Sequence, residues 1–514
     1  MSLSRIDAVL DSLPGKYTGP GGAIAILRDG AVVAQRTWGY ADLDRRLPFT
    51  PQTLSLICSI TKQFTCALLL DQCPDLDALE PEVRRLMPLL EGQVPGVRDL
   101  ANNQSGLRDY WATAMLCGPA VEGWFTVADG ARLIAKTRSL QFAPGTRYSY
   151  CNQNFRILSD IIEARTGRDY AGLLRSRIFD RAGMPRALLN ADTSRVAGGT
   201  IGYEGTVESG FRPAVNRIVW TGDAGMAASL EDMIAWEQHI DATRDDPQGL
   251  YTRLAGPAVF HDGTSAGYGF GLARGKAFGR ENTSHGGGLR GWRSHRMYIP
   301  SERVSVVALF NHMADPRAAA MELLAALLDE PEPMAVPAGG AVPVGRYVEP
   351  ETGLAVRVSA DGDKAKLLFA AYADALAPAE DGWAGGGTSL TADGAGLRMQ
   401  RTVDNIDSVL LPVSGEAPGD IAGTYRNAEL GAELVITGEG RGFYGAFQGD
   451  LGPGTMQPLL PFDANTWLFP MPRALDHGAP GDWTLAFRRD DAGAVAGVTV
   501  GCWLARGLTF DRIS

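Results

Sequence analysis

The sequence predicts an α/β (α+β) domain over residues 1–330 followed by two small antiparallel β-barrel domains, 331–415 and 416–514. Three observations carry that prediction. Strand-like runs stand at both ends of the first 330 residues with helical segments between them, as in one α/β domain whose terminal segments share a sheet. A run rich in Pro, Ala and Gly, P-E-P-M-A-V-P-A-G-G-A-V-P, follows Glu330 and reads as a linker. Beyond it come short alternating runs with Gly and Asp turns, and a weak internal repeat. G-R-Y-V-E-P-E-T-G-L-A-V-R-V from Gly345 aligns with G-T-Y-R-N-A-E-L-G-A-E-L-V-I from Gly423; Gly, Tyr and the second Gly keep their spacing, and apolar positions 356 and 358 match 434 and 436.

In chain order, an amphipathic helix is expected near residues 3–13. Ala23–Leu27 and Val32–Thr37 flank Asp29-Gly30 and read as a hairpin. Ile57–Gln72 has Ile60, Phe64, Ala67 and Leu68 at the helical period, and Cys66, Leu69 and Leu70 fill the other side, so this helix belongs inside a domain. Residues 77–158 look like helical segments broken by Gly and Pro. Helices follow over Phe155–Thr166 and Leu230–Ala242. Tyr268–Leu272, Arg296–Ile299 and Val304–Asn311 read as adjacent antiparallel strands, the last two joined by Pro300-Ser301-Glu302, and Ala314–Leu328 as a closing helix.

The 514-residue chain is 45% hydrophobic, ample for a large core. A net charge of -11 argues against nucleic acid or an anionic membrane as partner. The N-terminal M-S-L-S-R-I-D-A-V-L-D has neither a basic stretch nor a continuous apolar run, so no secretory signal is expected, and no apolar run reaches the length of a membrane span. The cysteines at 58, 66, 73, 117, 151 and 502 show no zinc-type or C-x-x-C spacing, and a reduced cytoplasmic protein is the simplest reading.

Lysine is rare, occurring only at 16, 62, 136, 276, 364 and 366, so about 0.3 chance S-x-x-K matches are expected. Ser59–Lys62 is the only one, at the start of the buried helix. Residues three apart share a helix face. A helix N-terminus offers free N–H groups and a positive dipole end, which suits a site where negative charge develops. Such a serine needs a base and an oxyanion hole. In penicillin-recognising enzymes S-x-x-K is accompanied by S-D-N and K-T-G; here Tyr150-Cys151-Asn152 stands in the second place and His285-Gly286-Gly287 in the third. Tyr425-Arg426-Asn427 falls inside the C-terminal repeat and His261-Asp262-Gly263 lacks a following paired-strand pattern, so both are set aside.

The order G-Y-A-D, S-I-T-K, N-Q-S-G-L, F-A-P-G-T-R-Y-S-Y-C-N, G-D-A-G-M-A-A-S-L-E-D-M and H-G-G-G over roughly residues 1–330 resembles the class C β-lactamase and D,D-peptidase family of serine hydrolases. The appended β-domains, and H-G-G in place of K-T-G, resemble its D-stereospecific aminopeptidases. Two motifs depart from the family: N-Q-S-G stands where H-T-S-G is common, and His285 in place of lysine argues against a substrate carboxylate held there. The resemblance implies Ser59 as nucleophile, Lys62 lowering the phenol pKa of Tyr150, and Tyr150 as general base. It implies Asn152 on the substrate carbonyl side, His285 assisting near Tyr150, and an oxyanion hole from the N–H groups of Ser59 and Gly288 beside Gly287. The implied reaction releases an N-terminal D-amino acid from peptides and D-amino acid amides through an acyl-enzyme, with no metal or cofactor and a homodimer as the candidate assembly. An esterase or amidase on the same scaffold, or a non-catalytic penicillin-binding-like scaffold protein, is the alternative. The M-P-R-A-L-D-H-G-A-P-G-D loop of the last domain is expected to reach the Ser59 cleft, where Asp476, with His477 beside it, meets the substrate ammonium and Asp482 is the second candidate.

Overall fold

The computed structural model describes residues 2–330, 341–440, 442–471, 473, 475 and 481–514. Its organising element is the strand Gly21–Arg28, G-G-A-I-A-I-L-R, buried on both faces. It forms the predicted hairpin with Ala31–Asp42 around Asp29 and Gly30, whose φ angles of 55° and 74° are those of a tight turn that matches strand twist. On its other side it pairs antiparallel with Val304–Phe310, so the two ends of this region share one sheet, as the sequence predicts. The eight strands run in the order Leu47–Pro48, Ala31–Asp42, Gly21–Arg28, Val304–Phe310, Trp292–Ile299, Arg280–Leu289, Leu272–Ala277, Tyr268–Gly269.

Strand alternation divides the core into two layers. Ile24, Ile26, Val306 and Ala308 meet Ile6, Leu10, Leu13, Leu323 and Leu324 of the helices Ser2–Lys16 and Pro316–Leu327. Ala23, Ala25, Leu27, Val307 and Leu309 face the opposite way, onto the larger core that holds Phe64, Leu68 and Trp236. The buried helix begins as a 3-10 turn, Cys58–Ile60, and continues as Thr61–Gln72 with residues 61–70 buried. Arg280–Leu289 is a long strand where sequence gave no strand signal, because its S-H-G-G-G-L run lacks the β-branched residues that mark one.

Residues 345–412 form a closed eight-stranded antiparallel barrel with its own apolar core. Residues 423–512 form a ten-stranded half-barrel, whose strand path does not close on itself. The repeat is structural. Gly345 pairs with Val358 and Tyr347 with Val356 in the first hairpin of the barrel, and Gly423 with Ile436 and Tyr425 with Leu434 in the first hairpin of the half-barrel. The half-barrel shares one core with the preceding region, since Tyr110, Trp111 and Leu116 belong to the same apolar cluster as Tyr425, Phe447, Trp467 and Trp483. No helix among the described residues is long and apolar enough to cross a membrane.

Candidate active site

The chain enters the site from the short strand Ser55–Leu56, which pairs with Met226–Ala228. Cys58 then takes φ 49°, a left-handed conformation that costs a residue with a Cβ roughly 1–2 kcal/mol. That bend leaves Cys58 buried and Ser59 on a cavity wall. Ser59 Oγ accepts from the Tyr150 hydroxyl at 2.8 Å and lies 3.0 Å from Lys62 Nζ. Lys62 is fully buried and also donates to Asn152 Oδ1 at 2.8 Å and to the Asp223 carbonyl at 2.7 Å. Both are acceptors only, so two of its N–H groups are committed and the third position faces Ser59. Burial drives the ammonium down to about 8, against the opposing pull of Asp223 and Asp109.

Tyr150 lies in the loop before the helix Asn152–Thr166. Burial pushes its phenol well above the ordinary value, with only the Ser59 hydrogen bond leading the other way. Burial thus acts on the two groups in opposite senses, raising the Tyr150 phenol and lowering the Lys62 ammonium. Asn152 is fixed by Asp109, whose Oδ2 accepts from its backbone N at 2.6 Å and its Nδ2 at 2.9 Å.

His285 stands in Arg280–Leu289. Its Nδ1 lies 2.6 Å from the Gly286 carbonyl, which can only accept, so Nδ1 carries the proton and Nε2 accepts from the Tyr268 hydroxyl at 2.9 Å. Burial, then the charge of Lys62, lowers the imidazole to about 3. It is a neutral ring, 6.3 Å from the Tyr150 ring centre to centre, with Tyr268 packed edge-on against both. Gly287 lies where the strand crosses the Ser59 turn: a Cβ there would sit 2.2 Å from the Ile57 carbonyl oxygen and 2.2 Å from Ser294 Oγ.

Ser59, Tyr150, Asn152, His285, Gly287 and Gly288 line one cavity of about 700 Å³. Ala370, Tyr372 and Asp374 of the closed barrel and Trp503 and Leu504 of the half-barrel complete its wall. Asp476 and His477 lie outside the described residues. Asp482, the second candidate, pairs with Arg357 of the closed barrel. The discarded motifs lie elsewhere: His261 pairs with Asp99 at 3.2 Å, and Tyr425 donates to the Ile421 carbonyl at 2.7 Å. Asp109, Asp223 and Tyr268 were missed by sequence reasoning. The first two stand inside N-Q-S-G-L-R-D-Y and G-D-A-G-M, and membership of those motifs was the available signal.

The β-lactamase family model matches residues 6–330, and the model for D-aminopeptidase, domain B, matches 341–511. A D-aminopeptidase of Gluconobacter oxydans is 50% identical over 520 residues, covering 99% of this chain and 99% of that protein. One from Cereibacter sphaeroides is 47% identical over 518 residues, covering 100% of each. Among solved structures, the octameric penicillin-binding protein homologue from Pyrococcus abyssi matches with a TM-score of 0.56 at 22% identity, over 87% of this chain and 99% of that one, a likeness of fold. A hydrogen-bonded Ser–Lys–Tyr site on this fold, with full-length relatives at such identity, makes the chain a member of the β-lactamase family of serine hydrolases and, within it, of the D-aminopeptidases.

Proposed function

We propose that the chain is a serine aminopeptidase that releases an N-terminal D-amino acid, such as D-alanine, from peptides and D-amino acid amides through an acyl-enzyme on Ser59. The observation that carries this is the closed contact among Ser59 Oγ, Lys62 Nζ and the Tyr150 hydroxyl at 3.0 and 2.8 Å on a cavity wall. The full-length D-aminopeptidase relatives support the substrate class. In acylation the free amine of Lys62 takes the Ser59 proton as Oγ attacks the carbonyl, and Tyr150 gives its phenolic proton to the leaving amine. The new ammonium of Lys62 then lies beside the phenolate and stabilises it. In deacylation the phenolate takes a proton from water, the hydroxide attacks the ester, and Lys62 returns its proton to Ser59, so each group ends as it began. The N–H groups of Ser59 and Gly288 hold the oxyanion, with Asn152 on the carbonyl side.

Neutral His285 supports an aminopeptidase, because it offers no cation for a substrate carboxylate. For the substrate ammonium our candidate is Asp476, with His477 beside it. The described ends of its loop support this placement: the Leu475 carbonyl accepts from Arg290, and a Cβ on Gly481 would lie 3.3 Å from Ala371 on the cavity wall. The cytoplasm is the proposed compartment, supported by six buried cysteines, none in a disulfide, and a homodimer is the proposed assembly, checked by light scattering. The activity is tested with paired D- and L-amino acid p-nitroanilides, free and N-acetylated. We expect turnover of the free D-substrates, abolished in Ser59→Ala. Asp476→Asn should lower kcat/KM on free D-amines by roughly 30-fold, as for a charge pair broken on one side, and leave blocked substrates little changed. Equal turnover of free and acetylated substrates would replace the aminopeptidase with an esterase or amidase.

A further inference from the structure

The inference concerns Asp109 and rests on the hydrolase reading above. Asp109 is buried and forms part of the cavity wall. One carboxylate oxygen caps the short helix Tyr110–Met115, accepting from Trp111 N at 3.0 Å and Ala112 N at 3.3 Å. A helix cap needs no more than that. The second oxygen takes both N–H groups of Asn152, and this decides which way the Asn152 amide points. With Nδ2 on Asp109, Oδ1 is left for Lys62 Nζ. Asp109 is itself held from outside the domain. Its backbone N–H donates at 2.9 Å to the Leu504 carbonyl, in the turn between the half-barrel strands Val495–Cys502 and Ala505–Arg512. Beside it Arg108 Nε donates to the Arg506 carbonyl at 2.8 Å, and Gln141 Oε1 accepts from Arg506 N at 3.1 Å.

We propose that Asp109 is the positioning residue of the Ser59–Lys62 pair: through Asn152 it aims the Lys62 amine at Ser59, and the half-barrel turn at residues 503–506 holds it in place. The groups facing Lys62 are few. Asp223 and Asp109 supply negative charge, Cys151, Tyr110 and Tyr150 are un-ionised at neutral pH, His285 is neutral, and Cys58 is the remaining titratable neighbour. Removing the charge at 109 therefore makes the ammonium easier to deprotonate. Removing the acceptor lets the Asn152 amide turn a donor toward Lys62 and spoils the aim.

The test uses the full chain and the pH dependence of Ser59 inactivation by a fluorophosphonate, which has no amine and no peptide bond. In Asp109→Asn the rise near pH 8 should move down by about one pH unit, and the plateau rate should fall roughly 10–100-fold, the scale of a misaimed catalytic group. Asp109→Ser keeps an acceptor for the helix cap but not the second oxygen, so it should shift the same way, and it decides the matter if the Asn variant does not fold. An unmoved pH profile with a plateau within about twofold of native would make Asp109 a helix cap only and overturn the proposal. Failure of the hydrolase reading is a separate outcome, no labelling of the native protein at Ser59.

Discussion

In the proposed mechanism Lys62 and Tyr150 divide the acid–base work, because burial acts on them in opposite senses. Desolvation penalises the charged form, so it lowers an ammonium and raises a phenol. Lys62, fully buried, comes down to about 8, and Tyr150 goes up. Above about pH 8 the pair is thus an amine able to accept and a phenol able to donate, the two states the proposed acylation step needs. The sign of the pH dependence follows: raising pH through about 8 removes the Lys62 proton and creates the base. The rate of fluorophosphonate inactivation should rise about tenfold per pH unit below that value and level off above it, as for a single titrating base. Lys62→Arg, which cannot deprotonate in this range, should lose the limb and most of the rate. A flat profile from about pH 6 to 9 would return the base role to Tyr150.

At the level of elements, the site is a crossing of the Ser59 turn by the strand Arg280–Leu289, and the closeness of that crossing explains the glycines. Ser294 Oγ on the next strand donates to the Ile57 carbonyl at 2.9 Å, pinning the turn against the sheet. A Cβ at Gly287 would intrude on both partners of this bond at 2.2 Å. Gly287→Ala should therefore push the strand from the turn and lower kcat by roughly 10²-fold, the cost of about 1 Å of misplacement. Gly275→Ala on the adjacent strand has open space around its Cβ and serves as control. Wild-type kcat in Gly287→Ala would show that the crossing tolerates displacement. The same strand marks what was legible in the sequence. Ser59, Lys62, Tyr150, Asn152 and His285 could be named because each sits in a motif with a local spacing, and Gly21–Arg28 could be read because its apolar run is long. Arg280–Leu289 was invisible as a strand because glycines chosen for closeness erase the propensity signal. Asp109 was invisible as part of the site because its bond to Asn152 spans 43 residues, and no local pattern encodes such a pairing.

At the scale of the whole molecule, the two C-terminal sheets stand in different relations to the catalytic region, although their first hairpins share a register. The closed barrel has a core of its own, built from Val356, Val358, Leu367, Leu390, Met399 and Leu410. The half-barrel does not. Its Tyr425, Phe447 and Trp483 continue into Trp111 and Leu116, and at one contact the backbones nearly touch: a Cβ on Gly118 would lie 2.1 Å from the Gly452 carbonyl oxygen, and Leu451 N donates to the Cys117 carbonyl at 3.0 Å. Segments that share one packed core open together, because separating them exposes apolar area at about 25 cal/mol per Å². Native-state hydrogen exchange should therefore give the amides of Ala432–Glu439 and Gly442–Gly449 the same opening free energy as those of Tyr110–Met115, while those of Leu354–Asp361 and Gly396–Arg401 open separately. Deleting residues 416–514 should expose Met115, Leu116 and Cys117 and give aggregating protein without Ser59 labelling, since the turn that holds Asp109 is lost with its apolar cover. Independent opening of the half-barrel, or a labelled and monodisperse protein after its deletion, would show that the catalytic region stands without it.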